Sequence, residues 1–269
     1  MKTPIGVFDS GFGGLEILRE IKKKLPEYDY IYLGDAARSP YGNRKQEEIY
    51  QFTEQAVDFL FNKNCGLIIL ACNTVSSEAL RKIQQQFLTQ NYPNKRVLGV
   101  LIPGSEIAVE VTKNNKIGVM ATKGTIESQS FVRELKKINP KTEVFQQACP
   151  LLVPLIENGG KNIEKVLQNY LEPLLEKNID TLILGCTHYG LVLDKIKKIV
   201  GDEINIISEG EIVADKLDDY FKRHAKLEKS LSKGGSVEFL TTGSTKSFEK
   251  IGSKFWGKFI KVNTVDIIS

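Results

Sequence analysis

The chain alternates short apolar runs with segments whose apolar positions recur at helical spacing. The apolar runs predict strands over Ile5–Phe8, Tyr30–Leu33, Leu67–Leu70, Val97–Val100, Ile117–Met120, Thr181–Leu184, Ile204–Ile207 and Val237–Leu240. Between them lie amphipathic helical patterns. Ile49, Phe52, Ala56, Phe59 and Leu60 share one helix face, and Ala79, Leu80, Ile83 and Phe87 share another. Apolar strands separated by helices predict an α/β protein of parallel sheets covered by helices. Only Leu227–Gly235, rich in Lys, Ser and Gly, reads as a solvated loop.

The pattern repeats. Ile117-Gly118-Val119 follows Ile5-Gly6-Val7 by 112 positions, and Leu182-Ile183-Leu184-Gly185-Cys186-Thr187 follows Ile68-Ile69-Leu70-Ala71-Cys72-Asn73 by 114. Two offsets that nearly agree indicate two similar α/β units. Such units pack about a pseudo-two-fold axis, with a site in the cleft between them. The segment from about Glu209 carries further helix and strand signals and is free to return to the first unit.

Composition narrows the function. A chain of 269 residues buries a sizeable core, and its net charge of +4 is modest. Lysines such as those in Lys22–Lys24 and Lys195–Lys198 read as solvated helix faces, so nucleic-acid binding is not expected. No apolar leader opens the chain and no apolar run could span a bilayer, so the expectation is a cytoplasmic protein without membrane contact. The four cysteines, Cys65, Cys72, Cys149 and Cys186, form no C-x-x-C pair, which argues against a structural zinc. Each is then either a buried small hydrophobe or a chemical group.

Parallel sheets bind ligands beyond the carboxyl ends of their strands. Those positions carry Asp9-Ser10-Gly11, Gly34-Asp35, Cys72-Asn73-Thr74, Ala121-Thr122 and Cys186-Thr187-His188. Cys65 and Cys149 read as packing. Cys72 and Cys186 each end a strand and precede a helix, where free amides and the helix dipole are expected to lower the thiol pKa toward neutrality. At equivalent places in facing units, the two sulfurs would flank one cleft, which is the geometry of a two-base racemisation. The glycine loop Asp9–Gly14 offers amides to a carboxylate or phosphate, but it is neither a Walker A nor a dinucleotide fingerprint. Asp9 reads equally as a cap of that loop or as an assistant to Cys72. His188 is placed to support Cys186, and Glu157, an acid among apolar residues, to orient His188. Arg38–Arg44 is turn chemistry whose Tyr41 and amides could also line the cleft. No lysine lies in the strand-end tracts, consistent with chemistry that forms no Schiff base. A non-catalytic module for small anions is the alternative from another class. Nothing in the sequence argues for a role as an interaction protein.

Together these tracts resemble the glutamate racemases of the aspartate/glutamate racemase superfamily. The resemblance rests on Gly6–Leu15, Gly34-Asp35 with Pro40-Tyr41-Gly42, Ala71–Thr74, Val153–Glu157 and Leu184–Tyr189, with Thr241-Thr242-Gly243 fitting the C-terminal part. It implies two doubly wound domains, one of residues 1–97 completed by 209–269 and one of residues 98–208. It implies Cys72 and Cys186 as catalytic thiols, supported by Asp9, Glu157 and His188. Asp9, Ser10, Pro40, Tyr41, Gly42, Asn73, Thr74, Thr187 and His188 fall on substrate-binding positions. The implied reaction interconverts L- and D-glutamate without cofactor or metal, supplying D-glutamate for peptidoglycan. The glutamate carboxylates would be held by Ser10, the Gly42 amide, Asn73, Thr74 and Thr187. Aspartate or another acidic amino acid is the alternative substrate, and a homodimer is the expected assembly. Ser208-Glu209-Gly210 departs from the family's more usual Asp-Ser-Gly. The long N-terminal extension of the members activated by a cell-wall precursor is missing, so that activation is not expected.

Overall fold

The computed structural model describes residues 2–267 and folds them around two all-parallel sheets. Ten strands build them: β1 (Ile5–Asp9), β2 (Tyr30–Gly34), β3 (Leu67–Leu70), β4 (Arg96–Gly99), β5 (Lys116–Ala121), β6 (Glu143–Ala148), β7 (Thr181–Gly185), β8 (Asn205–Ile207), β9 (Val237–Thr241) and β10 (Asn263–Thr264). One sheet runs β10-β9-β2-β1-β3-β4, the other β6-β5-β7-β8.

The repeat in the sequence is a repeat in strand order. β1 lies between β2 and β3 as β5 lies between β6 and β7, and β4 extends past β3 as β8 extends past β7. Every residue of β1, β2, β3 and β7 is buried, as expected of parallel strands covered by helices on both faces. The C-terminal segment adds β9 and β10 beside β2, enlarging the first sheet only.

The eight expected strands are present. β6 and β10 were not expected, because β6 is a half-exposed edge strand with paired glutamines, and β10 has only two residues. Leu227–Gly235 is more ordered than a solvated loop. It begins at the end of the helix Ala225–Glu228, and Leu231 is buried in a bridge to Thr3.

The halves are joined by packing as well as by chain. Helix Gly14–Lys24 of the first half lies along helix Glu209–Arg223, which follows β8. Their apolar faces enter one core layer that also contains Val7 and Ile69 of the first sheet and Met120, Leu182 and Leu184 of the second. Each such aliphatic side chain contributes about 1.5–3 kcal/mol when fully buried. That shared layer sets where the two sheet edges meet. No helix among the described residues is long and apolar enough to cross a membrane.

Candidate active site

Register decides what emerges at each sheet edge. Asp9 pairs with Gly34 and Phe8 with Leu70, so Asp9, Asp35 and Cys72 leave the first sheet side by side. Ala121 pairs with Gly185, so Thr122 and Cys186 leave the second at the matching edge. The two thiols are each only 7% exposed. They stand close enough that the charge of Cys72 and of Asp9 opposes ionisation of Cys186.

Around Cys72, the Ser10 hydroxyl lies 3.4 Å from Sγ. Asp9 Oδ2 accepts the Gly11 amide at 2.7 Å and so closes the glycine loop, while Oδ1 is buried without a partner. Burial pushes the Asp9 carboxyl up to about 6, against the opposing pull of His188 and the Gly11 and Gly14 amides. Asp9 therefore both caps the loop and stands beside Cys72.

Around Cys186, His188 Nδ1 lies 3.9 Å from Sγ and Nε2 lies 2.8 Å from Glu157 Oε1. A carboxylate only accepts, so Nε2 carries the proton of that bond and Nδ1 is the ring nitrogen that faces the thiol. Phe255, from the C-terminal helix Thr245–Trp256, meets the ring edge-on at 5.1 Å. The glycine loop of the first half supplies the opposite wall. A side chain at Gly13 would come within 2.2 Å of Thr187 Oγ1 and 2.6 Å of His188 Nδ1, so only glycine permits this approach.

One sequence expectation is overturned. Both thiols are pushed up rather than down, Cys72 to about 12 and Cys186 well above its ordinary value, and burial is the main cause for each. Helical backbone does follow each thiol, from Asn73 and from Thr187, and the Val75 and Ser10 amides at Cys72 and the His188 amide at Cys186 favour the thiolate. The loss of solvation outweighs them.

The remaining predicted residues are distributed as follows. Thr187 is buried beside the glycine loop. Thr74 Oγ1 lies 2.9 Å from Thr122 Oγ1, which lies 3.0 Å from Thr125 Oγ1, so a hydroxyl cluster ties the two halves together. Asn73 Nδ2 donates to Glu209 Oε2 at 2.6 Å, which ties the helix that follows β8 to the Cys72 edge. Tyr41 is buried with its hydroxyl donated to Asp35, so that tract presents backbone rather than a free phenol. Gly42 packs against Thr122, whose Cβ would lie 2.9 Å from a methyl group there. Pro40 is exposed. Thr125 and the Asn73–Glu209 bond were not anticipated, since Thr125 and Glu209 lie outside the strand-end tracts read from the sequence. Among the described residues, no group of three His, Cys, Asp or Glu side chains is gathered as metal ligands.

This geometry has known counterparts. The Asp/Glu/Hydantoin racemase family pattern matches residues 5–217. The chain belongs to that family. It is 41% identical over 268 residues to glutamate racemase 2 of Caldanaerobacter subterraneus subsp. tengcongensis, covering 98% of this chain and 97% of the relative. A glutamate racemase of Listeria innocua is 41% identical over 261 residues, with 95% and 94% of the two chains covered. Among solved structures, glutamate racemase isoform RacE1 of Bacillus anthracis superposes with a TM-score of 0.89 at 37% identity, covering 98% of this chain and 97% of that one. The Francisella tularensis glutamate racemase, solved in complex with D-glutamate, gives a TM-score of 0.89 at 33% identity, covering 99% and 98%.

Proposed function

We propose that the protein is a glutamate racemase that inverts the α-carbon of glutamate between the thiols of Cys72 and Cys186. One observation carries the reading: two buried thiols end equivalent strands of two facing sheets, each beside a different proton-handling neighbour. One thiolate removes the α-proton and the opposite thiol returns a proton to the other face. The reverse reaction exchanges the roles. By family resemblance, Cys72 acts on D-glutamate and Cys186 on L-glutamate.

The raised thiol pKa values define what binding must accomplish. Buried as they are, neither thiol ionises readily. The α-ammonium of the substrate brings a cation between them, and a cation within about 4–6 Å favours the thiolate. His188, held by Glu157, takes the proton of Cys186, and Asp9 stands in the corresponding role for Cys72. Ser10, the Gly42 amide, Asn73, Thr74 and Thr187 hold the carboxylates. Fixed dipoles in a water-excluding site then stabilise the carbanion that forms.

The two domains are residues 1–97 with 209–269 and residues 98–208. The product, D-glutamate, serves peptidoglycan synthesis in the cytoplasm, and the working form is a homodimer. The test is incubation of purified, dialysed protein with L-glutamate in deuterated water. D-glutamate carrying α-deuterium should accumulate without added cofactor, and absence of both inversion and exchange would reject the reading.

A further inference from the structure

Glu209 is a buried carboxylate at the edge of the second sheet. It follows β8 of the second sheet, opens helix Glu209–Arg223, and is 3% exposed. Its Oε2 accepts from Nδ2 of Asn73, the residue that follows Cys72 at the edge of the first sheet, and its Oε1 is buried without a partner. Asn73 is 2% exposed, and its Oδ1 likewise has no partner. The sequence stands apart here too, with Glu209 where the resembling family more often has serine.

We infer that Glu209 is a positioning residue, whose carboxylate fixes the Asn73 side-chain amide in one orientation and so presents Asn73 to the substrate. A side-chain amide can present either its oxygen or its nitrogen, and an isolated asparagine turns to suit its surroundings. An ionised carboxylate accepts only, so Asn73 must direct Nδ2 to Glu209 and its oxygen elsewhere. The second Nδ2 hydrogen remains for a substrate carboxylate, and the oxygen left free matches the α-ammonium, the one hydrogen-bond donor of ionised glutamate. Because this contact resembles binding more than chemistry, losing it should weaken ground state and transition state alike.

Three groups face Glu209: Asn73, Glu16 on helix Gly14–Lys24, which Arg19 pairs at 3.5 Å, and the Cys186 thiol, whose ionisation the Glu209 charge opposes. Burial, reinforced by Glu16, pushes Glu209 up to about 8 despite the Asn73 bond. Below that value the protonated carboxyl can donate instead, and the constraint on the amide relaxes.

The inference rests on Asn73 being a substrate contact, so the test separates the two. Racemisation of both enantiomers is measured in the full-length wild type, Glu209→Ala, the near-isosteric Glu209→Gln, Asn73→Ala and the Asn73→Ala/Glu209→Ala double variant. Above about pH 8, where Glu209 is ionised, Glu209→Ala should raise KM about tenfold to a hundredfold, with kcat changed far less. The wild-type KM should fall as pH rises through about 8, and Glu209→Gln should recover most of the loss without that pH dependence. The double variant should be no worse than Asn73→Ala. A wild-type KM in Asn73→Ala rejects the substrate contact and the inference with it. A raised KM in Asn73→Ala with a wild-type KM in Glu209→Ala and Glu209→Gln rejects the positioning role alone, as do additive effects in the double variant. Should Glu209→Ala fail to fold, the pH profile of Glu209→Gln decides.

Discussion

The two halves of the site share a scaffold and differ in their chemistry. On the offset of the strand run, Thr187 stands where the first half has Asn73, and His188 where it has Thr74. On the offset of the central strands, Ala121 stands where the first half has Asp9. Each half thus places one proton acceptor near its thiol, but from a different strand. The Cys186 half uses an imidazole two residues beyond the thiol, held by Glu157 at 2.8 Å. The Cys72 half has only a hydroxyl two residues on and instead draws a buried carboxylate from the neighbouring strand. The common fold fixes where two thiols face each other.

The largest expected effect breaks the feature the halves share. Cys72→Ser and Cys186→Ser should each lower racemisation by about 10³-fold or more, read by the change in optical rotation. Near-wild-type turnover in either variant is incompatible with a two-thiol reaction.

Next comes the feature that distinguishes them. His188→Asn should lower kcat/KM by about 10²-fold. Since the products are enantiomers with equal free energy, kcat/KM must fall equally in both directions. The asymmetry should appear in the α-deuterium isotope effect, increasing for the enantiomer whose proton Cys186 removes. Equal isotope effects in the two directions would contradict the assignment of His188 to the Cys186 side. A smaller loss, about tenfold, is expected for Glu157→Gln, which acts only through His188. If Glu157→Gln proves worse than His188→Asn, Glu157 has a role beyond holding the ring.

The smallest effect concerns stability. A solvated aspartate titrates at 3.8 and the buried Asp9 at about 6, so the folded state holds its proton more tightly than the unfolded chain. Its contribution is fully present below about 4 and is lost as pH rises through about 6. Above that pH the ionised carboxylate costs about 3 kcal/mol. Asp9→Asn should therefore unfold at higher denaturant than wild type near neutral pH, with the difference disappearing in acid, even though activity is lost. A variant less stable at neutral pH would show that Asp9 is held by contacts stronger than its burial penalty.

Most of the layout was legible because buried parallel strands leave continuous apolar runs and the duplication leaves two near-equal offsets. β6 was not, since Gln146 and Gln147 on an edge strand break the apolar signal. Strand-end position was enough to find both thiols, Asp9 and His188. It gave the wrong sign for the thiol pKa, because proximity to a helix start is visible in sequence and depth of burial is not. The Asn73–Glu209 bond joins residues 136 positions apart, a separation that no local pattern encodes.

The bare backbone at Gly13 also makes the two sides of the site interdependent. Thr187 and His188 occupy the space its side chain would fill, while Cys72, Cys186, Asn73 and Thr187 are at most 7% exposed. The wall of the Cys186 side thus belongs to the loop that Asp9 closes beside Cys72. A shift of that one loop would reach both thiols at once.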